Sequence, residues 1–443
     1  MKSPLKIRDN NCYLLTQEER FVHGENLQKL ASKTINSLDL EGYPNLLIFP
    51  PNFHVQNDDI GKQHIFSYDG ERITSGNIMG FIGYRSSQIS ICSRFTKQDT
   101  HDYFLHYMLQ RVFAINLFDL KYNSDTENVF DFLIYLFPSF LKQAIRQGLY
   151  KEYKTRYHND AHIRGCIDVS RHMRQNIPFR GQVAYTTRDY ATDNHITQLI
   201  RHTIEYILKH PYSGNILNND EETHEAVNII CQATPTYSPN ERRQIINQNL
   251  RPVHHPYFGE YRNLQRLCLQ ILRHEELKYG NDDDQIYGIL FDGAWLWEEY
   301  LYTILKSVGF KHPENKIQKG GFSMFIKSDE DENISRNSRK LYPDFYKENF
   351  ILDAKYKHLN SGVGREDLFQ VVSYMYCRCA KHGGLLFPNE ENSLLCNYQL
   401  MGYNGYIHLF PFMIPQEALN YGDFVKQIQN SETKLTSLVN HVE

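Results

Sequence analysis

The segment from Leu341 to Tyr356 constrains the fold of this chain more than any other part of the sequence. It holds two short runs of aromatic and branched residues, separated by a polar break at 347–349. This pattern predicts two antiparallel strands joined by a tight turn. Each predicted strand also carries one carboxylate, Asp344 on the first and Asp353 on the second. A hairpin would therefore bring two acidic side chains together in an otherwise apolar setting.

Two carboxylates at such close range repel each other unless a cation lies between them. Carboxylate oxygens together with water are the ligands that Mg²⁺ prefers. Lys355 stands two residues after Asp353, so the alternation of side chains along a strand points both to the same face. Its ammonium could there orient a water molecule or stabilise charge on a phosphate. The same short pattern also fits a surface hairpin with alternating charges, so the flanking segments decide.

The segment before the hairpin, from Asp292 to Val308, predicts an amphipathic helix because its apolar residues recur at three- and four-residue steps. At about 100° per residue, Glu298 falls at the edge of the buried face and Glu299 points away from it. Glu298 is therefore the better candidate for a third acidic group at the hairpin, and Glu299 fits a solvated side chain.

The segment after the hairpin, from Arg365 to Ala380, predicts a second helix. Asp367, Gln370 and Tyr374 follow one another at i, i+3 and i+7, which places them on one face, where their side chains can converge on one ligand. An acidic helix, a carboxylate hairpin and a Gln–Tyr helix thus occur in a fixed order along the chain.

This order resembles the motifs of the PD-(D/E)xK nucleases. Pro343-Asp344 and Asp353-Ala354-Lys355 match the defining pair of motifs, and Gln370-x-x-x-Tyr374 resembles the helix motif of the RecB-like branch, which lies next to the DNA phosphates. The resemblance implies a magnesium-dependent nuclease. The implied catalytic residues are Glu298, Asp344, Asp353 and Lys355, the implied metal site is Glu298, Asp344, Asp353 and Ala354, and the implied DNA contacts are Gln370 and Tyr374.

A second resemblance covers most of the chain, from about residue 75 to about residue 410. The runs Asn159–Val169, Arg171–Asn176 and Val183–Asn194 are similar to stretches of McrC-type restriction subunits. This resemblance implies the nuclease subunit of a modification-dependent restriction system. Its implied partners are an McrB-like AAA+ GTPase, which binds the GTP, and double-stranded DNA that is methylated or otherwise modified.

We expect an α+β chain of several domains, because β-rich and helical patterns follow one another along the sequence. The predicted divisions are a β-rich N-terminal interaction domain at 1–95, a mostly helical middle region with a short β segment at 96–285, and a restriction-endonuclease-like α/β domain at 286–443. Nothing in the first division has catalytic spacing, so we expect it to serve as the docking module.

The net charge of −4 argues against a protein that holds DNA by bulk electrostatics. We therefore expect a partner to supply most of the DNA affinity. Two other functions stay open: a stand-alone RecB-like repair nuclease, and a catalytically silent activator of the motor. No apolar run reaches the length of a membrane span, the first residues lack a signal-peptide core, and the eight cysteines are scattered, so we expect a cytoplasmic protein with free thiols.

Overall fold

The structure is a computed structural model, and it describes residues 5–31, 33–41, 46–50, 64–84, 87–96, 102–113, 127–209, 214–218, 220–253, 255–278, 286–313, 320–325, 340–359, 362–390, 396–402 and 404–442. Helices and strands both occur throughout these ranges. The helices are α1 Gln17–Ala31, α2 Ile35–Glu41, α3 Tyr103–Phe113, α4 Glu127–Arg146, α5 Val169–Gln175, α6 His195–Lys209, α7 Glu221–Ala233, α8 Arg242–Gln248, α9 Gly259–Lys278, α10 Gly293–Leu305, α11 Arg365–Arg378 and α12 Tyr421–Val442.

The strands form five sheets within the described residues. They are β1 Leu5–Arg8, β2 Cys12–Leu14, β3 Leu46–Phe49, β4 Phe66–Tyr68, β5 Arg72–Ser75, β6 Ile78–Tyr84, β7 Ser87–Cys92, β8 Glu152–Asp160, β9 Cys166–Ile167, β10 Val183–Ala191, β11 Ile286–Asp292, β12 Phe322–Ser323, β13 Lys340–Leu341, β14 Phe345–Lys347, β15 Phe350–Ala354, β16 His382–Asn389, β17 Cys396–Gln399 and β18 Tyr406–Met413. The chain is thus a mixture of α and β structure, as predicted.

The chain divides into two compact units. One unit joins the two ends of the sequence, Met1–Leu117 and Asp282–Glu443, and the other is the segment between them, Phe118–Asn281. This division differs from the predicted one at 95 and 286, because the predicted first and third domains fall in the same unit. The central segment is an insertion into that end-to-end unit.

Strand β11 is the physical reason for this difference. It lies inside a five-stranded sheet of order β1-β7-β6-β11-β3, where it pairs antiparallel with β6 and parallel with β3. The hydrophobic core on this sheet includes Leu46, Ile82 and Leu290, so residues from both ends of the sequence pack together. The predicted nuclease domain therefore begins with a strand whose partners belong to the predicted N-terminal domain.

The carboxylate hairpin belongs to a second five-stranded sheet, of order β14-β15-β16-β18-β17. Strands β15, β16 and β18 run parallel, and the two edge strands run antiparallel to their neighbours. Helix α11 connects β15 to β16 and buries Val371 and Met375 against Leu385 and Ile407. A parallel pair with a crossover helix aligns the C-terminal end of β15 with the N-terminal half of that helix.

Helix α10 is fixed at both ends. Its first turn is capped by Asp292, whose carboxylate accepts hydrogen bonds from the main-chain amides of Ala294 and Trp295. A short 3₁₀ turn follows the helix and ends at Gly309, whose φ of 88° is left-handed. Trp297 and Tyr300 are buried against Phe412 of β18, which ties the helix to the second large sheet.

The inserted unit combines a helical bundle with a three-stranded sheet of order β8-β10-β9. Helices α4, α6, α7, α8 and α9 supply the bundle, and its core contains Leu133, Ile204, Ile230 and Leu267. The predicted helical middle region with a short β segment is therefore present, with a β segment larger than predicted. Within the described residues, no helix of either unit combines the length and the apolar character needed to cross a lipid bilayer.

The pairing of β6 with β11 depends on two glycines. A Cβ atom at Gly288 would lie 2.3 Å from the carbonyl oxygen of Phe81, and one at Gly80 would lie 2.2 Å from that of Ile289. Both glycines also have positive φ, 150° and 122°. The two backbones approach this closely only because neither residue has a side chain.

We expect Gly288→Ala to destabilise the protein by about 3 kcal/mol or more, because the methyl group meets backbone that cannot move aside. The matched control is Gly70→Ala, since Gly70 also has positive φ, 98°, but nothing within 4 Å of the added atom. That control should show only the conformational cost of about 1–2 kcal/mol. Urea unfolding of both variants measures the difference, and equal losses would show that the close strand contact is unimportant.

Candidate active site

Hairpin β14–β15 brings Asp344 and Asp353 together, as the sequence predicted. Phe345 pairs with Leu352, and continuing this antiparallel register by one residue sets Asp344 opposite Asp353. The main-chain amide of Ala354 donates a 2.7 Å hydrogen bond to Oδ2 of Asp344. All five residues of β15 are buried, so the sheet holds Asp353 in an apolar environment.

The electrostatics of this pair are those of two buried like charges. Burial raises the pKa of Asp344 well above its usual range, and the negative charge of Asp353 raises it further. Asp353 is only 1% exposed. Burial also raises its pKa, although the positive charge of Lys355 partly opposes that shift. The pair therefore favours a nearby positive charge.

Lys355 supplies one such charge at the C-terminal end of β15. Its Nζ lies 2.6 Å from Oδ2 of Asp353 as an ion pair, and it donates a 3.1 Å hydrogen bond to Oε1 of Gln370. Burial alone would lower the pKa of this lysine, but the negative charges of Asp353 and Asp344 raise it above its usual range. The ammonium stays protonated beside the two carboxylates.

Helix α11 orders the side chains around the lysine. Gln370 accepts from Lys355 and donates through Nε2 to the hydroxyl of Tyr374 at 3.0 Å. The Tyr374 hydroxyl in turn lies 3.5 Å from the carbonyl oxygen of Tyr342, which precedes the hairpin. Of the predicted Gln–Tyr pair, Gln370 thus contacts the predicted lysine directly, and Tyr374 connects Gln370 to the segment before the hairpin.

Asp367, which the sequence analysis placed on one helical face with Gln370 and Tyr374 but not among the implied catalytic, metal or DNA-contacting residues, also belongs to the site. Its Oδ1 lies 3.4 Å from Nζ of Lys355, and its Oδ2 accepts a 2.6 Å hydrogen bond from Lys357. Burial would raise the pKa of Asp367, but these two lysines outweigh it and lower the pKa. Its position one turn before Gln370 on the same helical face was the signal that could have identified it.

Glu299 of α10 is connected to the hairpin through His312. Oε1 of Glu299 lies 3.9 Å from Nε2 of His312, and the opposite ring nitrogen, Nδ1, donates a 2.5 Å hydrogen bond to the main-chain carbonyl of Asp344. The ring of His312 packs beside that of Phe345 at 5.0 Å. Glu299 is therefore connected to the hairpin through His312, and His312 was missed because nothing in its sequence context points to it.

The described residues contain no group of three or more His, Cys, Asp or Glu side chains placed to hold a metal ion together. The two aspartates nevertheless fit a hard cation, because Oδ1 of the buried Asp353 has no hydrogen-bond partner among the described residues, while Oδ2 faces the ammonium of Lys355. Mg²⁺ commonly takes one or two carboxylates and fills its remaining positions with water and phosphate oxygens. Ala354 could add only its main-chain carbonyl.

Comparison with known proteins gives one family. The sequence profile described as "McrBC 5-methylcytosine restriction system component" matches residues 73–388, which is well over half of the chain. Among curated proteins, none matches this sequence.

Two solved structures are similar to the chain. A half-complex from the tetradecameric assembly of Thermococcus gammatolerans McrB AAA+ hexamers with bound McrC has 14% identity and a TM-score of 0.48, over 97% of this chain and 100% of that one. A cryo-EM structure of the Thermococcus gammatolerans McrBC complex has 13% identity and a TM-score of 0.33, over 69% of this chain and 87% of that one. The profile match shows that this chain belongs to the family of McrBC 5-methylcytosine restriction system components.

Proposed function

We propose that this chain is the DNA-cleaving subunit of a modification-dependent restriction system, with a PD-(D/E)xK type of active site. One observation carries the proposal: a buried pair of carboxylates, Asp344 and Asp353, has the ammonium of Lys355 against it at the end of β15. The surrounding order of elements, an acidic helix, a hairpin, the crossover helix α11 and strand β16, is that of a restriction-endonuclease-like core.

In the proposed reaction, water attacks a phosphodiester phosphorus and one P–O bond of the DNA backbone breaks. Asp344 and Asp353 would hold Mg²⁺, which when bound supplies positive charge for the phosphate and for the attacking water. Lys355 stabilises the negative charge that develops on the phosphate oxygens. Asp353 and Gln370 keep its ammonium in place, at 2.6 Å and 3.1 Å. Gln370 and Tyr374 lie on the face of α11 that we propose contacts DNA.

Two observations favour this function over its alternatives. A catalytically silent activator has no need of the two buried carboxylates and their lysine. Repulsion between the two carboxylates lowers the stability of the fold, so we expect such a chain to lose them. A stand-alone repair nuclease needs its own means of holding DNA. The net charge of −4 provides no overall electrostatic attraction to the negatively charged DNA backbone. We therefore propose that an McrB-like AAA+ GTPase binds GTP, recognises methylated or otherwise modified double-stranded DNA, and delivers it to this chain.

The docking surface on this chain is better sought in the inserted unit than in residues 1–95. The N-terminal sheet contains β11, so it is a structural part of the proposed nuclease unit. Two basic residues of α4, Lys142 and Arg146, form ion pairs with Asp220, the N-cap residue of α7, and with Glu222 within that helix. These two basic residues support the helical bundle.

Sheet β8-β10-β9 and helix α5 instead display many exposed apolar side chains. They are Tyr153, Tyr157, Ile163, Ile167, Val169, Met173, Ile177, Phe179 and Tyr190. Arginines cover some of the aromatic rings, for example Arg171 over Tyr157 at 4.9 Å. Exposed apolar side chains in such number, mixed with arginine, are typical of protein-binding surfaces. We propose that this surface, named here the β8–β10 face, contacts the GTPase.

The first test concerns the carboxylates. Asp353→Ala should lower magnesium-dependent cleavage by about 1,000-fold or more, since several kcal/mol of transition-state stabilisation are lost. The same change should leave the thermal midpoint within about 3 °C of the wild type, because it removes a buried charge along with its repulsion of Asp344. Cleavage of modified DNA with the GTPase present, together with calorimetry of the chain alone, measures both quantities. Undiminished cleavage would disprove the proposed active site.

The second test compares the two glutamates of α10. From helical phase, Glu298→Gln should reduce cleavage strongly, whereas the contact of Glu299 with His312 predicts that Glu299→Gln also reduces it, by about tenfold. Single-turnover cleavage rates of both variants decide between the two positions. A wild-type rate for Glu299→Gln would show that the link through His312 to Asp344 has no part in the reaction.

The third test separates docking from cutting. Lys355→Ala should stop cleavage and still stimulate GTP hydrolysis by the partner. The double change Tyr157→Ser and Phe179→Ser should abolish that stimulation with little loss of stability, because the two side chains are 69% and 67% exposed. Phe21→Ser is the matched control, since Phe21 is 92% exposed in the N-terminal region. Loss of phosphate release with Phe21→Ser alone would return the docking surface to residues 1–95.

A further inference from the structure

Tyr356 directly follows Lys355, and its side chain leaves the active site for the N-terminal sheet. The ring is only 6% exposed. Its hydroxyl lies 2.9 Å from Oγ of Ser93, just after β7, and 3.2 Å from Sδ of Met79 in β6. A residue next to the proposed catalytic lysine is therefore hydrogen-bonded to a part of the chain that the sequence assigned to another domain.

The ring of Tyr356 is enclosed on several sides. The guanidinium carbon of Arg94 lies 4.8 Å from the ring centroid of Tyr356. The ring of Phe95 packs against that ring in a T-shaped arrangement, with 5.1 Å between the two centroids. Gly293, at the start of α10, approaches so closely that a Cβ there would lie 2.8 Å from Cε1 of Tyr356. Segment 93–95 and the N-terminus of α10 thus enclose the side chain of Tyr356.

Two carboxylates fix segment 93–96: Asp9 is buried, and Asp102 is half-buried. Asp9 accepts hydrogen bonds from the main-chain amide of Arg94 at 2.6 Å and from its Nε at 2.8 Å. Asp102 accepts from the main-chain amide of Ser93, and from the hydroxyl of Thr96 at 2.8 Å. Because both carboxylates accept several hydrogen bonds from segment 93–96, the position of the Ser93 hydroxyl is closely determined.

Lys355, the residue directly before Tyr356, is also held by several contacts. Its main-chain amide donates to the carbonyl of Leu386 at 2.8 Å, and its Nζ contacts Asp353, Asp367 and Gln370. Successive side chains of an extended segment point to opposite sides. Any rotation of the backbone here would therefore move the ammonium and the tyrosine together.

We propose that Tyr356 is a positioning residue for Lys355, acting through its hydrogen bond to Ser93. The fitted ring and its hydroxyl hold the end of β15 against rotation, so that the ammonium remains between Asp353 and Gln370. This inference rests on the proposed nuclease function, because it assigns a support to the lysine of that site. It gives the N-terminal sheet a role in cutting DNA.

The experiment removes single hydroxyl groups. Tyr356→Phe and Ser93→Ala each delete the hydrogen bond while keeping the side chain's shape. Tyr107→Phe is the matched control, because the buried hydroxyl of Tyr107 makes a 3.0 Å hydrogen bond to Glu432 away from the hairpin. Each of the three variants loses a buried hydrogen bond worth about 1 kcal/mol, and Tyr356→Phe also loses the 3.2 Å contact with Sδ of Met79.

We expect single-turnover cleavage by the complex of full chain and GTPase to fall about tenfold in Tyr356→Phe and in Ser93→Ala, with the DNA concentration for half-maximal rate unchanged. The double variant should be no slower than either single variant, because both remove the same bond. Tyr107→Phe should stay within about twofold of the wild type. Equal losses in Tyr107→Phe and Tyr356→Phe would overturn the proposal, since a general loss of stability would then explain both.

A second measurement does not depend on activity. Reductive methylation of the full chain alone, read by mass spectrometry at each lysine, reports how well Lys355 is held by its partners. The rate at Lys355 should rise several-fold in Tyr356→Phe and stay at the wild-type value in Tyr107→Phe, with Lys29 as an internal reference. An unchanged rate at Lys355 overturns the proposal. If wild type and Asp353→Ala cleave equally, the proposed function fails, and the methylation result still shows whether Tyr356 positions the lysine.

Discussion

Two buried carboxylates, Asp344 and Asp353, repel each other, and several other parts of the larger unit offset that repulsion. Burial and mutual repulsion raise the pKa of Asp344, so the hairpin by itself opposes having both groups charged. Lys355 offsets part of that cost, and Gln370 and Asp367 keep the lysine in place. Strand pairing along β14, β15 and β16 then supplies the rigidity that keeps like charges together.

Local patterns in the sequence predicted the parts of this site whose geometry is local. The hairpin, the helix before it and the helix after it all have the predicted type, because alternation and helical periodicity depend on residues a few positions apart. The connection of Glu299 to the hairpin was not predicted. Helical phase separates adjacent residues by only about 100°, and His312, which connects Glu299 to the site, lies in a loop that no periodicity describes.

The division into domains could not be obtained in this way. Strand β11 pairs residue 288 with residue 46, and no local pattern records a contact across so much of the chain. The glycines at 80 and 288 were a local trace of the pairing of β11 with β6, but in a sequence they are indistinguishable from turn glycines. Tyr356 was overlooked for the same reason: its partner, Ser93, belongs to a region that appears from composition to be a separate module.

The place of β11 in its sheet also has a consequence for synthesis of the protein on the ribosome. Strands β1, β7 and β6 emerge early, but the strand that must separate β6 from β3 is translated only after the whole inserted unit. Until then the apolar faces of β6 and β3 lack their partner, while the inserted unit can already fold by itself. An incompletely translated chain would thus present the inserted unit before it could assemble the carboxylate hairpin.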